Sequence, residues 1–366
     1  MRATSDLVSR IFRSPDAIRR FSIGDWDNLI RQARQAGLLA RMHHVLQQNG
    51  LAAMIPSVAR WHFEAAAILS DKQQIEVRWE VQQVRAALAG LNFPLIVLKC
   101  AADVMADLPG ARGRLFNDID ILVPREQLDQ VESALMLAGW HTVGLPDYDQ
   151  RYYRRWTLDI PPMQHVRHAM VIDVHHAILP ESAHYHPDSA KMRSRAVAVQ
   201  GLPGVAVLAA EDRVLHAATQ LFYNSELTHG LLDLSDIDLL LREASTVTSF
   251  WTKLLARAEE MQLGRPLFYA LRYARHFFDT PVPDEVDSSL VAAAPRGAIL
   301  NLMDSIFTCA LAPAHPGCEN TFTPLARSAA YLHAHWLRRS PRLLVPHLFH
   351  KAFISPYLDN GTPKAA

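Results

Sequence analysis

The sequence predicts an α+β protein in which a small mixed sheet lies between an N-terminal and a C-terminal helical region. Three observations predict this class. Apolar residues recur at helical spacing up to about residue 90, alternate as in strands up to about residue 180, and return to helical spacing beyond residue 200. We therefore expect a helical region at 1–90, an α+β core at 91–200 and a helical region at 201–366.

The N-terminal region contains two long helical patterns. They are "WDNLIRQARQAGLLARMHHVLQQNG" and "WHFEAAAILSDKQQIEVRWEVQQVRAALAG". Each stops at a glycine, which is favoured just after a helix C-terminus because it adopts left-handed backbone angles without a steric penalty. We expect this region to be entirely helical.

The core combines five strand candidates with one amphipathic helix. The strand candidates are "FPLIVLK", "DIDILV", "WHTVG", "RYYRRWTLDI" and "HAMVIDVHHAIL". The helix candidate "EQLDQVESALMLAGW" places Leu128, Val131 and Leu135 on one face. Helical patterns resume in "GLPGVAVLAAEDRVLHAATQLF" and "LLDLSDIDLLLREA".

Charge and cysteine content exclude several classes of protein. Lys+Arg and Asp+Glu number 37 each, so no overall field attracts nucleic acid or an anionic membrane, although a local basic groove remains possible. Three cysteines without a C-x-x-C pair indicate a reducing compartment. No apolar run approaches the roughly 18 residues of a membrane span. We expect a cytoplasmic protein without a membrane partner.

The stretch "NDIDILV" carries two carboxylates within a core-forming strand. Side chains alternate along a strand, so Asp118 and Asp120 share one face while Ile119 and Ile121 point into the core. The two Cα atoms are about 7 Å apart by strand rise. Two like charges this close repel each other unless a cation lies between them, and Mg²⁺ prefers such oxygen ligands.

A third carboxylate follows about 50 residues later. Asp173 lies between Ile172 and Val174 in another alternating run, with His175 on the same face. Phosphoryl and nucleotidyl transfer commonly use two Mg²⁺ ions that require three such carboxylates. We therefore predict a magnesium site at Asp118, Asp120 and Asp173.

A D-x-D pair is also common on solvated strand faces and in turns. A second copy of the triplet in this chain can be compared with the first. The D-I-D triplet recurs at Asp236 and Asp238, within a run of helical length and period. Those two side chains would point to different sides of a helix. We interpret the second triplet as mainly structural.

Two cations and one histidine accompany the predicted site. Lys99 and Arg114 suit phosphate oxygens, although a surface ion pair with the aspartates would explain them equally well. His175 could orient Asp173 or contact phosphate, or it could simply be hydrogen-bonded at a strand end. The aromatic and basic stretch "YYRRW" could contact an acceptor or form an exposed strand.

The region from "FPLIVLKCAADVMADLPGARGRLFNDIDILVPREQLDQVESALMLAGW" to "VIDVHHAIL" resembles the uncharacterised nucleotidyltransferase family of the DNA polymerase β-like superfamily. That family has an L-K-G segment, an arginine four residues before a D-[IV]-D-L-L-V strand, and a later [IV]-D-[LV]-H strand. Leu98 and Lys99 match the first segment, and Arg114 matches the arginine. The D-x-D pair matches the second strand, and Asp173 with His175 match the last. Asp236 falls at a weaker aspartate position of the family.

The resemblance implies a small mixed-sheet nucleotidyltransferase core flanked by helices, and a specific chemistry. Asp118, Asp120 and Asp173 would be catalytic and would bind two Mg²⁺ ions, and Lys99, Arg114 and His175 would contact the nucleotide. The reaction would move AMP from ATP to a hydroxyl of a small-molecule, peptide or protein acceptor and release pyrophosphate. Cys100 stands where the family has glycine, which makes triphosphate binding in the usual pose less secure.

Two further functions stay open at this stage. Cys100 favours a catalytically weak or inactive protein that uses the same fold to bind a peptide or partner, whereas the three aspartates oppose it. An RNA-directed transferase is the other alternative, and the balanced charge makes nucleic acid the less favoured partner.

Overall fold

In this computed structural model, the structure describes residues 6–143, 158–168, 170–223, 227 and 229–338. Seven strands within this part form one mixed sheet in the spatial order β3-β4-β5-β2-β1-β7-β6. Their bounds are β1 Leu95–Val97, β2 Asp118–Leu122, β3 Trp140–Thr142, β4 Met163–His165, β5 Val171–His175, β6 Val197–Ala198 and β7 Val205–Val207. The predicted α+β class is confirmed.

Two parallel pairings organise the middle of the sheet. β2 pairs parallel with β5 and β1 pairs parallel with β7, while β1 and β2 run antiparallel. The register places Asp118 opposite Val171 and Asp120 opposite Asp173. The two acidic strands predicted from sequence are therefore direct neighbours.

Along the chain, helices lie before, between and after the strands of this sheet. The first six are α1 Leu7–Arg13, α2 Ile23–Gln35, α3 Leu39–Gln48, α4 Ser57–Ala87, α5 Lys99–Met105 and α6 Leu128–Leu137. The later ones are α7 Ser189–Ser194, α8 Ala210–Tyr223, α9 Gly230–Ala244, α10 Phe250–Glu260, α11 Gly264–Phe278, α12 Asp284–Ser289, α13 Ala298–Leu311 and α14 Thr323–Arg338. None of the described helices is long and apolar enough to cross a bilayer.

Most predicted elements are present, and the differences include one divided helix and the unpredicted short strands β4, β6 and β7. The first helical pattern is divided into α2 and α3, because Gly37 adopts φ = +71° and ends α2. The run "GVAVL" contributes β7, which the sequence pattern did not separate from the helix that follows it. The stretch "RYYRRW" lies outside the described residues.

Two apolar cores support the site. One lies between the sheet and α4, α5 and α6, and it includes Val81, Ile119, Ile121, Ile172 and Val174. The other joins the N-terminal helices to α8, α9 and α11. Because Ile119 and Ile121 are buried in this core, the alternating side chains of Asp118 and Asp120 point to the opposite face of the sheet.

Candidate metal centre and adjoining cavity

Three donor groups converge at the centre of the sheet. One ligand atom from each of Asp120, Asp173 and His175 lies within 4.8 Å of the other two. Asp120 and Asp173 face each other across the β2–β5 register, and His175 follows two residues later on the same face of β5. Asp118 is on the same face of β2 but lies outside this closest set. The sheet therefore brings together two of the three carboxylates that the sequence predicted, Asp120 and Asp173, with His175.

His175 contacts Asp120 rather than Asp173. Its Nε2 atom lies 2.7 Å from Oδ1 of Asp120, and both side chains are buried. The prediction that His175 would orient Asp173 is therefore not supported by this geometry. The histidine positions the other strand's carboxylate instead.

Lys99 forms an ion pair with the same carboxylate, and the Lys99 side chain is partly exposed. Its Nζ lies 2.6 Å from Oδ1 of Asp120, whose side chain is only 3% exposed. Burial alone would lower the pKa of Lys99, but the charges of Asp120 and Asp118 raise it above its ordinary value. Of the two interpretations that the sequence left open for Lys99, the structure has the ion pair with an aspartate. The ammonium group lies at a position to which a bound metal cation would also be attracted.

The three aspartates respond differently to their surroundings. Burial alone would raise the pKa of Asp120, but the Lys99 charge and the His175 hydrogen bond hold that pKa well below its usual range. Burial and the charge of Asp120 raise the pKa of Asp173 to about 7 and also raise the pKa of Asp118. One lysine thus compensates Asp120 and leaves the other two carboxylates short of positive charge.

A divalent cation fits this arrangement. Oδ1 of Asp173 is buried and has no hydrogen-bond partner within the part of the chain that the structure describes. Burying a carboxylate oxygen without a partner is costly, and a metal ion is one way to satisfy it. Carboxylate oxygens are the ligands that Mg²⁺ prefers, and Asp118 lies two residues before Asp120 on the same face of β2.

Arg114 does not pair with the strand aspartates. Its Nη2 lies 2.9 Å from Oδ1 of Asp233 and its Nε lies 3.2 Å from Oδ2 of Asp236, and both of these residues are on α9. The sequence left open whether Arg114 binds phosphate or forms an ion pair with the strand aspartates, and in this structure its ion pairs are with Asp233 and Asp236. The reason is the fold, because α9 presents two carboxylates to the segment that leads into β2.

Cys100 is a partly buried residue in the first turn of α5. Burial raises the pKa of its thiol to about 12, so the side chain is neutral near pH 7. The left-handed residue at this turn is Lys99, with φ = +50°, whereas Cys100 itself does not have a positive φ. A glycine is therefore not required at position 100 for backbone reasons.

The second D-I-D triplet lies on α9, and its two aspartates have different partners. Asp238 pairs with Arg242 at 2.7 Å and accepts a hydrogen bond from Thr280 at 2.6 Å. Asp236 pairs with Arg41 at 2.6 Å and contacts Arg114. The two side chains therefore serve separate sets of contacts, and Asp236 also reaches the site.

A cavity of about 200 Å³ adjoins the carboxylates. Its walls come from α5, β2, α8 and α9, with apolar surface from Leu208, Leu221 and Leu240. Charged and polar side chains also line it: Lys99, Cys100, Asp103, Arg114, Asp118, Arg213, His216, Gln220, Asp233 and Asp236. Asp118 and both predicted phosphate-binding cations thus face one space.

Several lining residues were not predicted from the sequence. Burial lowers the pKa of His216 to about 3 and raises the pKa of Asp103 to about 7. Arg213, on the same face of α8 as His216, has a buried Nε without a hydrogen-bond partner among the described residues. The available signal was the recurrence of polar residues at 213, 216 and 220, which is the spacing of one helix face.

Comparison with known families identifies one match. The model of a family described as uncharacterised nucleotidyltransferase matches residues 23–279, which is well over half of the chain. No curated protein and no solved structure matched this chain. The matched range includes α2 through α11, the whole sheet and all residues of the site.

Proposed function

Because this chain belongs to the uncharacterised nucleotidyltransferase family, we propose that it is a Mg²⁺-dependent enzyme that transfers AMP from ATP to a hydroxyl group. The acceptor would be a small molecule, a peptide or a protein, and pyrophosphate would be released. The observation that carries this proposal is the pairing of Asp120 with Asp173 across two parallel strands, with one oxygen of Asp173 unsatisfied among the described residues.

Asp118, Asp120 and Asp173 would hold the metal, and His175 would keep Asp120 in place through its hydrogen bond. Bound Mg²⁺ would neutralise and align triphosphate oxygens and stabilise the charge that develops during in-line displacement. The protein's own contribution is positioning: both metal-facing strands are fixed by apolar neighbours on the opposite face.

Lys99 and Arg114 would bind the nucleotide's phosphates. Both side chains line the cavity that contains Asp118, so their positive charges face the same space. Lys99 retains its proton because the surrounding carboxylates raise its pKa. Arg114 carries a guanidinium that can bind two phosphate oxygens at once, although Asp233 and Asp236 also compete for it.

Asp173 is the candidate proton acceptor for the attacking hydroxyl. Its Oδ1 is not engaged by any hydrogen-bond donor in the described part of the chain. Attack of the acceptor oxygen on the α-phosphorus forms the new P–O bond and breaks the bond to pyrophosphate. The hydroxyl proton would pass to the carboxylate of Asp173, through whichever oxygen does not bind the metal.

The proposal can be tested with ATP that is radiolabelled at the α-phosphate. The full-length protein is incubated with Mg²⁺ and acceptor pools fractionated into small molecules, peptides and proteins. We expect label transfer that requires Mg²⁺ and is lost in Asp118→Asn and Asp173→Asn.

Calorimetry with Mg-ATP distinguishes the enzyme from a binding module of the same fold. Metal-dependent heat that disappears in the aspartate variants supports the enzyme. Absence of both binding heat and label transfer would contradict the proposal and favour the module that binds only a peptide or partner.

A further inference from the structure

Helix α4 is apolar on two opposite faces. One face enters the core at seven-residue intervals, through Phe63, Val77 and Val84, none of which has exposed surface. A helix that packs once on a globular core normally presents polar residues on its other side. On α4 that other side is also rich in large apolar residues.

We call this second face the α4 stripe. It consists of Val58, Trp61, Ala65, Ile68, Lys72, Ile75 and Trp79, all of which are exposed. The five large apolar members are between 46% and 70% exposed. The spacing alternates between three and four residues over a length of about 32 Å, at 1.5 Å per residue. This is the repeat by which one helix packs lengthwise against another.

Continuous apolar surface of this kind marks an interaction site more often than an isolated exposed side chain does. We propose that two copies of this chain associate through the α4 stripe, with the two helices antiparallel. A second copy supplies a helix with the same repeat, length and apolar content. The charges on and beside the stripe determine the orientation.

A parallel pair would be electrostatically unfavourable. It would place Lys72 against the partner's Lys72 in the apolar seam, and Asp71 beside the partner's Glu76. Lys72 is exposed and already pairs with Glu76 of its own helix at 3.3 Å. Two lysines facing each other within an apolar seam would repel strongly.

An antiparallel pair has a register that separates the two lysines and removes the contacts between Asp71 and the partner's Glu76. Trp61 then faces the partner's Trp79, and Ala65 faces the partner's larger Ile75. Lys72 lies opposite the partner's Ile68. The two Asp71 side chains approach each other at the twofold axis, where each has the partner's Lys72 beside it, so the lysine meets an acid rather than another lysine.

The flanking charges also match in this register. Glu64 lies on the same edge of the seam as the partner's Arg78, and the twofold symmetry makes this contact twice. Within its own chain Arg78 pairs with Asp107, but this pair is exposed, and exposed pairs contribute little. Arg78 can therefore exchange that partner at small cost.

Sedimentation of the full-length protein tests the association. We expect a dimer at micromolar concentration, and we expect Ile75→Glu to weaken it at least about tenfold, because a charge would be buried opposite the partner's Ala65. Leu137→Glu is the matched control, since Leu137 is 91% exposed on α6, outside the stripe. A monomeric wild-type protein, or an Ile75→Glu protein as dimeric as the control, would overturn the proposal.

Cysteine cross-linking tests the orientation without depending on loss of binding. Under mild oxidation, Ala65→Cys combined with Ile75→Cys should give a covalent dimer, whereas each single variant should not. The wild-type protein, with Cys100, Cys309 and Cys318, reports any background. Cross-linking by the single Ala65→Cys variant would indicate parallel helices and contradict the proposal. Absence of cross-linking by the double variant would also contradict it.

Discussion

Asp120 and Asp173 are directly paired in register across two parallel strands, and their environments have opposite effects on their pKa values. Lys99 and His175 keep Asp120 ionised, while burial and Asp120 raise the pKa of Asp173 to about 7. The pair therefore combines one compensated carboxylate with one that lacks a partner among the described residues. This asymmetry is what a divalent cation would relieve.

The two D-I-D triplets provide a matched mutagenesis experiment. Asp120→Asn should lower label transfer from ATP by at least about 10²–10³-fold, in the range seen when one electrostatic stabiliser of a transition state is removed. Asp238→Asn should keep transfer, because the Asp238 side chain on α9 contacts Arg242 and Thr280 and not the strand carboxylates. Initial rates at saturating Mg²⁺ measure both effects. Equal losses in the two variants would argue against a specific role of the strand pair.

Gly113 should be intolerant of any side chain. Its φ is +70°, and a Cβ there would collide with the backbone N and Cα of Arg41. We expect Gly113→Ala to lower the free energy of unfolding by about 3 kcal/mol or more, since steric overlap adds to the left-handed strain. Urea denaturation gives the value.

Gly50 is a control with left-handed backbone strain but without steric overlap. Its φ is +69°, but nothing lies within 4 Å of the position that a Cβ would occupy. Gly50→Ala should therefore cost only about 1–2 kcal/mol, the strain of a left-handed residue. A cost for Gly113→Ala no larger than for Gly50→Ala would show that the approach of Arg41 to Gly113 is not important.

Arg41 should be a main support of α9. Its side chain is 2% exposed, pairs with Asp236 at 2.6 Å and donates to the carbonyl of Gly110. Arg41→Met should lower the free energy of unfolding by about 3–5 kcal/mol, as expected when a buried pair loses one member. The exposed pair Arg19–Asp16 is the control, and Arg19→Met should change stability by less than about 1 kcal/mol. Similar costs for both substitutions would contradict this interpretation.

Asp103 should make the protein less stable as pH rises. Burial, with a contribution from the charge of Asp236, raises its pKa from 3.8 to about 7, so the folded state holds this proton more tightly than the unfolded state. Between about pH 4 and pH 7 the folded state therefore binds more protons than the unfolded state. As pH rises through this range, the contribution of Asp103 to the free energy of unfolding decreases by on the order of a few kcal/mol.

Denaturation midpoints at several pH values test this sign. Asp103→Asn should remove part of the decrease in stability between pH 4 and pH 7 relative to the wild-type protein. An unchanged pH slope in the variant would mean that Asp103 does not hold a proton in this range.

The alternation of residues along each strand was sufficient to predict which side chains of the site share a face. Alternation placed Asp118 and Asp120 on one face, and it placed Asp173 and His175 together on another strand. It could not give the register, because the pairing of β2 with β5 joins residues about 50 positions apart. The hydrogen bond from His175 to Asp120 depends on that register.

The partners of Arg114 illustrate the same limit at longer range. Asp233 is more than a hundred residues away in sequence, and only the packing of α9 brings it to Arg114. β7 was missed for a different reason, because its three apolar residues are followed without a break by the apolar Leu208, Ala209 and Ala210 that lead into α8. Short buried strands next to helices carry no periodicity of their own.

The central claim is that Asp118, Asp120 and Asp173 together bind a divalent cation for nucleotidyl transfer. The most direct test is a crystal structure of the full-length protein with Mn²⁺ and a non-hydrolysable ATP analogue, using anomalous scattering to locate the metal. We predict an anomalous peak coordinated by Asp120 and Asp173, with Asp118 as a further ligand and the triphosphate beside Lys99. A bound analogue with no peak at these carboxylates would contradict the claim.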